Sequence, residues 1–185
     1  MAVKQNRFPT VMKSIAAVSA LLTLLLAFFA RRSGFAFSAA ITCGTVCYHF
    51  SMRLLVGLIV PLLTGKLNPH SFWFRPKRWE TKLYKVLRVR RWKGSIPTYA
   101  PQQFDLSQNT LPQVIHNMCN AELVHEVIIS LSWIPLLFAI PFGALSVFVI
   151  TSAAAAAYDS IFVIAQRYNR PRLMRIAKRK EGCAL

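Results

Sequence analysis

Residues 121–140 read AELVHEVIISLSWIPLLFAI, and this stretch decides the fold class. From Val127 to Ile140 it is an apolar run long enough to enter a bilayer. The whole segment 121–140 reaches the roughly 20 helical residues that cross the hydrocarbon core. Two carboxylates, Glu122 and Glu126, flank His125 just before this run. Ionisable side chains at such a position lose hydration, so they are usually functional, or else paired and buried.

Glu122 and His125 are three residues apart, so they share one face of a helix. This spacing suits a carboxylate that orients and charges an imidazole. The alternative is a pair of interfacial residues that find water at the membrane edge. Only some ionisable groups with shifted pKa values belong to functional sites. These residues alone therefore leave both interpretations open.

The composition is that of an integral membrane protein. Hydrophobic residues make up 55% of the chain and charged residues 16%, whereas soluble domains carry about 25% charged residues. The 185 residues predict one domain, 1–185. The net charge of +17 comes largely from two clusters, Lys66–Lys93 and Arg167–Lys180, and both adjoin apolar segments. Such clusters attract anionic lipid head groups, so we expect a membrane-lipid partner and no nucleic acid.

Four apolar segments predict an all-α membrane protein with about four transmembrane helices. They are residues 14–30, 35–64, 121–140 and 143–165, and a tight turn at residues 141–143 separates the last two. An even number of spans places both termini, the loop 65–120 and the basic tail 166–185 on one side. By the positive-inside rule that side is the cytoplasm.

The second segment is unusually polar. His49 and Arg53 lie four apart on one helix face, and Pro61 removes a helix hydrogen bond. We expect the span to end near Arg53, with residues 54–63 along the interface, because an arginine deep in lipid costs about 2.5 kcal/mol or more. A tilted span is the alternative. An end near Arg53 would bring His49 and Arg53 close to the start of the third span. The alternative is that Arg53 snorkels to phosphates and His49 only packs.

The loop contains a basic, amphipathic pattern over residues 81–92, which predicts one helix lying on the cytoplasmic membrane surface. Trp73, Trp79 and Trp92 suit the head-group region. The alternative is that the loop cations hold the phosphates of a substrate. Gly94 to Pro97 should end this helix, and Thr110 should precede the helix that carries Glu122. The four cysteines lack the spacing of a zinc site, so we expect free thiols and no metal.

The chain leaves the last span through QRYNRPRL, residues 166–173. Pro171 is expected to stop the helix. Arg167 and Arg170 lie three apart, a spacing that suits a clamp on a phosphate or carboxylate. The alternative is a basic flank that only sets orientation.

This octapeptide, residues 121–125 and the stretch from Arg75 to Gly94 together resemble the glycosyl-4,4'-diaponeurosporenoate acyltransferase family of small bacterial membrane proteins. The resemblance runs from about His49 to Leu173, with three blocks in the same order. The chain departs from the family pattern at residues 96–99 and at Glu126, where the family often has tryptophan.

The resemblance implies transfer of a fatty acyl group onto a sugar hydroxyl of a glycosylated carotenoid or related glycolipid at the bacterial cell membrane. In this interpretation His125 is the base, Glu122 orients it, and His49 binds substrate or shares proton transfer. The resemblance also implies a wider substrate-binding set, with oxyanion or phosphate contacts from its arginines. This set comprises Arg53, Trp79, Glu80, Arg91, Trp92, Lys93, Gln166, Arg167, Asn169 and Arg170.

We expect no cofactor beyond an acyl donor such as acyl-CoA, which acts as co-substrate. The expected partners are therefore membrane lipid, the acyl donor and the glycolipid or carotenoid glycoside acceptor. Two other classes stay open. One is a non-catalytic membrane subunit or lipid-binding partner of a larger enzyme, and the other is another small membrane transferase, such as a lipid methyltransferase.

Overall fold

The structure, a computed structural model, describes the backbone of residues 7–182 and the side chains of residues 7–180. Every regular element within this range is helical. The α-helices are α1 (Phe8–Phe29), α2 (Gly34–Thr64), α3 (Glu80–Val86), α4 (Val89–Trp92), α5 (Leu111–Leu131), α6 (Ala139–Phe142) and α7 (Leu145–Gly182). Short 3₁₀ helices cover Phe72–Phe74, Pro101–Phe104 and Ile134–Phe138.

Within residues 7–182, four helical stretches are long and apolar enough to cross a membrane, which confirms the predicted fold class. They are Phe8–Phe29, Gly34–Thr64, Leu111–Phe142 and Leu145–Lys180. The turn predicted between the last two is also present, and Gly143 takes a φ of 79° there. A positive φ is easy for glycine because it has no Cβ. The last residues of the predicted basic tail, 183–185, lie outside the described residues.

Helix α2 is one continuous helix of 31 residues that passes Arg53 and Pro61 and ends at Thr64. The expected end of its membrane span near Arg53 stays a prediction. One expected helix end is wrong, because helix α7 continues through Pro171 to Gly182. The residues after Pro171 are mostly leucine, methionine, arginine, alanine and lysine, which favour helix. They continue the helix at the cost of the hydrogen bond that proline cannot make.

The loop pattern was predicted to form one helix over residues 81–92, and this is also wrong. The structure has two short helices, α3 and α4, and Arg88 between them is left-handed with φ 50° and ψ 41°. Two neighbouring boundaries are confirmed. Helix α4 ends at Trp92, just before Gly94. Helix α5 begins at Leu111, where the backbone N–H of Thr110 donates to Gln113 Oε1 over 2.8 Å.

The chain forms two compact units. The first unit comprises Met1–Ile59 and Val127–Asp159. In it, α1 and α2 approach closely, because a Cβ built on Gly44 would lie 3.4 Å from Thr23 Cγ2. Small residues at a helix contact permit such an approach within a membrane. The hydroxyl of Tyr48 donates to the carbonyl of Leu131 over 2.8 Å and joins α2 to α5.

The second unit comprises Val60–Glu126 and Ser160–Leu185. Its core is formed by apolar side chains of the loop and of the first half of α5, namely Phe74, Val89, Val114, Ile115, Met118 and Cys119. Asn117 Nδ2 donates to the carbonyl of Gln103 over 2.8 Å, which fixes the loop against α5. This packing places the loop beside Glu122, which lies on α5 together with Asn117.

Candidate functional site

Glu122 lies at the centre of a buried charge network in the second unit. Its side chain is fully buried, with 0% exposed. Arg167 Nη1 donates to Glu122 Oε1 over 2.6 Å, and Arg170 Nη1 donates to Oε2. The two arginines are three residues apart on α7 and therefore share a face. The two arginines, whose spacing suggested a clamp on a ligand, thus bind a carboxylate of the protein itself.

A second carboxylate, Glu80, completes the network from the start of α3. Glu80 Oε1 accepts from Arg167 Nε over 2.9 Å and from Nη2 over 2.7 Å. The Tyr84 hydroxyl donates to Glu80 Oε2 over 2.8 Å. Burial raises the pKa of Tyr84, and this hydrogen bond raises that pKa further because it favours the protonated hydroxyl. We call Glu80, Glu122, Arg167 and Arg170 the arginine–glutamate network.

The same arginines hold the loop by its backbone. Arg167 donates to the carbonyls of Trp73 and Arg75, each over 3.2 Å. Arg170 Nη2 donates to the carbonyl of Phe74 over 2.7 Å, and its guanidinium carbon lies 4.9 Å from the centre of the Phe74 ring. Three successive loop carbonyls are therefore bound to α7.

Arg167 has no donor left for a ligand. A guanidinium carries five N–H groups, and those of Arg167 make five hydrogen bonds to Glu80, Glu122 and two loop carbonyls. Arg170 is 1% exposed, so it is shielded from a ligand by burial. Two carboxylates face two guanidiniums, which balances the charges that burial would otherwise make very costly. These contacts favour positioning roles for both arginines.

His125 follows Glu122 by three residues on α5 and is half-buried. Its ring stacks on Phe162, with the ring centres 4.4 Å apart and an angle of 10° between the planes. This stacking fixes the plane of the imidazole. The neighbouring Glu126 accepts a hydrogen bond of 2.6 Å from Trp73 Nε1. The predicted role of His125 as base stays a prediction, and the contacts of Glu122 favour a role in holding the arginines.

The other residues predicted in this unit lie along α3, α4 and α7. Lys93 Nζ donates to Asn169 Oδ1 over 2.6 Å and lies 5.2 Å from the centre of the Tyr168 ring. Trp92 Nε1 donates to the carbonyl of Leu87 over 2.8 Å. Of the other residues in the predicted substrate-binding set, Trp79 is 58% exposed and Gln166 is half-buried. Arg91 lines an open cavity.

His49 and Arg53 lie in the first unit. Arg53 Nη2 forms a salt bridge with Asp159 and also donates to the carbonyl of Ala155 over 3.2 Å. Arg53 Nη1 donates to the backbone carbonyl of His49 over 3.0 Å. The His49 side chain is buried, and neither ring nitrogen has a hydrogen-bond partner among the described residues. The proposal that His49 and His125 share one substrate group stays a prediction.

Sequence reasoning missed Asp159 and Phe162. Asp159 had a usable signal, because a carboxylate within an apolar span is usually paired or functional. Phe162 had none, since a phenylalanine is ordinary in such a span. The loop carbonyls of residues 73–75 were also missed, because backbone groups are present at every residue and leave no mark in the sequence.

No group of three histidine, cysteine or carboxylate side chains suitable for a metal occurs within the described residues. Cys43, Cys47 and Cys119 are free thiols.

Comparison with known proteins gives one family. The family model described as glycosyl-4,4'-diaponeurosporenoate acyltransferase matches residues 69–179, more than half of the chain. No individual curated protein and no solved structure matches. The matched segment contains the whole arginine–glutamate network, His125 and Asp159, whereas His49 and Arg53 precede it.

Proposed function

We propose that this chain, which belongs to the glycosyl-4,4'-diaponeurosporenoate acyltransferase family, transfers a fatty acyl group onto a sugar hydroxyl of a glycosylated carotenoid or related glycolipid. The observation that carries the proposal is that the family match covers the segment with the buried network and His125. The four described helices that are long and apolar enough to cross a membrane suit an acceptor and an acyl chain that both reside in lipid.

In the proposed mechanism His125 removes the proton of the acceptor hydroxyl as its oxygen attacks the acyl carbonyl. General-base catalysis of this kind requires a base within hydrogen-bond reach of the hydroxyl. The stacked Phe162 ring supports the proposal because it holds the imidazole in one plane. The arginine–glutamate network holds the loop beside the turn of α5 that carries His125.

Lipid and pigment profiles of a deletion strain test this function. We expect the strain to lose one acylated glycolipid or carotenoid ester and to accumulate the glycoside that lacks the acyl group. A plasmid copy should restore the ester, and an empty plasmid is the control. An unchanged profile would reject the proposed function. The purified chain, reconstituted alone with donor and acceptor, should also form the ester; a requirement for a second protein would indicate a subunit instead.

The proposed location is the bacterial cell membrane, with both termini in the cytoplasm. The two basic clusters support this orientation through the positive-inside rule. In a cysteine-free background, single cysteines at Lys85 and Lys178 should react with a membrane-impermeant maleimide only after the cells are opened. A cysteine at Ala144, in the short connection before α7, should react in intact cells. Labelling of Lys85 or Lys178 positions from outside would overturn this topology.

A further inference from the structure

The second unit contains an open cavity of about 1020 Å³ between α3, α4 and the last part of α7. Eight of its lining residues are lysine or arginine, and one, Glu80, is a carboxylate. Ligand pockets in proteins commonly measure about 300–1,000 Å³. The cavity therefore has room for a large organic ligand, and its charge favours an anion.

Within the described residues, most of the cationic lining is not neutralised by carboxylates. Glu80 is already bound to Arg167 and Tyr84. The other seven cations form no ion pair among the described residues, and they are Lys77, Lys85, Arg88, Arg90, Arg91, Arg172 and Arg175. A cleft lined by one sign of charge concentrates ligands of the opposite sign. The walls thus present positive charge to a ligand, whereas Arg167 only supports them.

Arg88 occupies a backbone position that arginine rarely takes. It is the only residue other than glycine with a positive φ in the described chain, at 50°. Non-glycine residues in this region are strained, and such residues cluster at ligand clamps and active sites. Glycine would adopt the same backbone without a steric penalty. Arg88→Gly would therefore remove the positive charge and also the backbone strain at this position.

Aromatic contacts hold another of the cations in place. The guanidinium carbon of Arg172 lies 3.8 Å from the centre of the Tyr168 ring. Tyr168 in turn packs edge-to-face on Tyr84, with the ring centres 5.3 Å apart. Stacking on an aromatic ring restricts the guanidinium and leaves its N–H edges available to an anion. The wall formed by α7 is thus ordered before any ligand binds.

We propose that this cavity binds the phosphate groups of a nucleotide-type acyl thioester, of which acyl-CoA is the common representative. The proposal rests on the proposed acyltransferase function and names the donor class for it. Seven cations without an ion pair in the described part of the chain suit several phosphates better than the single charge of a phosphodiester lipid. In the transfer, the ester C–O bond forms as the thioester C–S bond breaks, and the hydroxyl proton ends on the released thiol.

Binding of coenzyme A itself tests the proposal without an acyl-transfer assay. The full-length protein in phosphatidylcholine nanodiscs should bind coenzyme A by calorimetry, dephospho-coenzyme A more weakly and pantetheine not at all. Arg88→Gly should weaken coenzyme A binding at least about 10-fold, by loss of a phosphate contact, with an unfolding temperature equal to or above the parental value. Arg179→Gln, which removes an exposed cation of α7 outside the cavity, is the matched control and should change binding less than about twofold.

Three outcomes would overturn the proposal. The first is no coenzyme A binding at millimolar concentration, and the second is equal weakening of that binding by Arg88→Gly and Arg179→Gln. The third is that the protein binds phosphatidylglycerol added to the nanodiscs, in a manner that depends on Arg88, but does not bind coenzyme A. The last result would make the cavity a lipid head-group site. Acyl transfer without coenzyme A binding would reject only the donor assignment. Coenzyme A binding in a chain that acylates no glycolipid would support the cavity site and reject the proposed function.

Discussion

His125→Ala is expected to lower the rate of acyl transfer by about 10²–10⁴-fold, the usual loss when a general base is removed. The protein should remain folded, because His125 is only half-buried and its ring contact is a stack on Phe162. His125→Gln should show a similar loss, since an amide does not accept the proton. The measurement is the formation of acylated product in membranes that contain equal amounts of each variant.

His116→Gln is the matched control for this variant. His116 lies on the same helix, nine residues before His125 and nearly on the opposite face, where it shares a hydrogen bond with Asn120. Its replacement should leave the transfer rate close to the parental rate. Near-parental activity in His125→Ala would exclude His125 as the base and return it to a structural role.

Glu122→Ala is expected to destabilise the protein by about 3–5 kcal/mol, the usual cost of removing one partner from a buried ion pair. Arg167 and Arg170 would each lose the fully buried Glu122 carboxylate, and both also hold the loop carbonyls. The stability of Glu122→Gln should lie between those of the parent and Glu122→Ala, because glutamine keeps one acceptor but loses the charge. Denaturant unfolding of purified protein in detergent measures the effect.

Glu126→Gln is the control for this second prediction. Glu126 lies one turn further along α5, with 23% of its side chain exposed and 4.0 Å from Arg167. Its change should cost less than about 1 kcal/mol, because the ion pair is long and partly exposed and glutamine keeps an acceptor for Trp73 Nε1. Parental stability of Glu122→Ala, together with lost activity, would contradict the structural role and indicate that Glu122 acts in the chemistry itself.

The spans could be predicted from the sequence because a bilayer imposes a minimum length of apolar helix. The end of α7 could not be predicted as well, since Pro171 is a single penalty that the long flanking helix outweighs. The break at Arg88 is also invisible in the pattern, because its basic and apolar residues keep the helical spacing on both sides. There the tertiary contacts of the loop decide the backbone.

The candidate site was predictable by residue but not by partner. Glu122 was expected to be paired or functional, and it is buried and paired. Its partners lie 45 and 48 residues away, so no local spacing reveals them. Arg167 and Arg170 were predicted to grip a substrate because their spacing suits an anion. Only the folded chain shows that the anions are Glu80 and Glu122.

The raised pKa of Tyr84 has a consequence for how the protein responds to alkali. A tyrosine whose pKa is higher in the folded state than the ordinary value of about 10 stabilises the fold in full below that pH. Its contribution declines only as the pH rises above about 10, where the unfolded chain loses the proton first. The Tyr84 hydroxyl therefore remains a donor to Glu80 throughout the range in which bacteria grow. Any loss of activity between neutral and mildly alkaline pH must come from a different group.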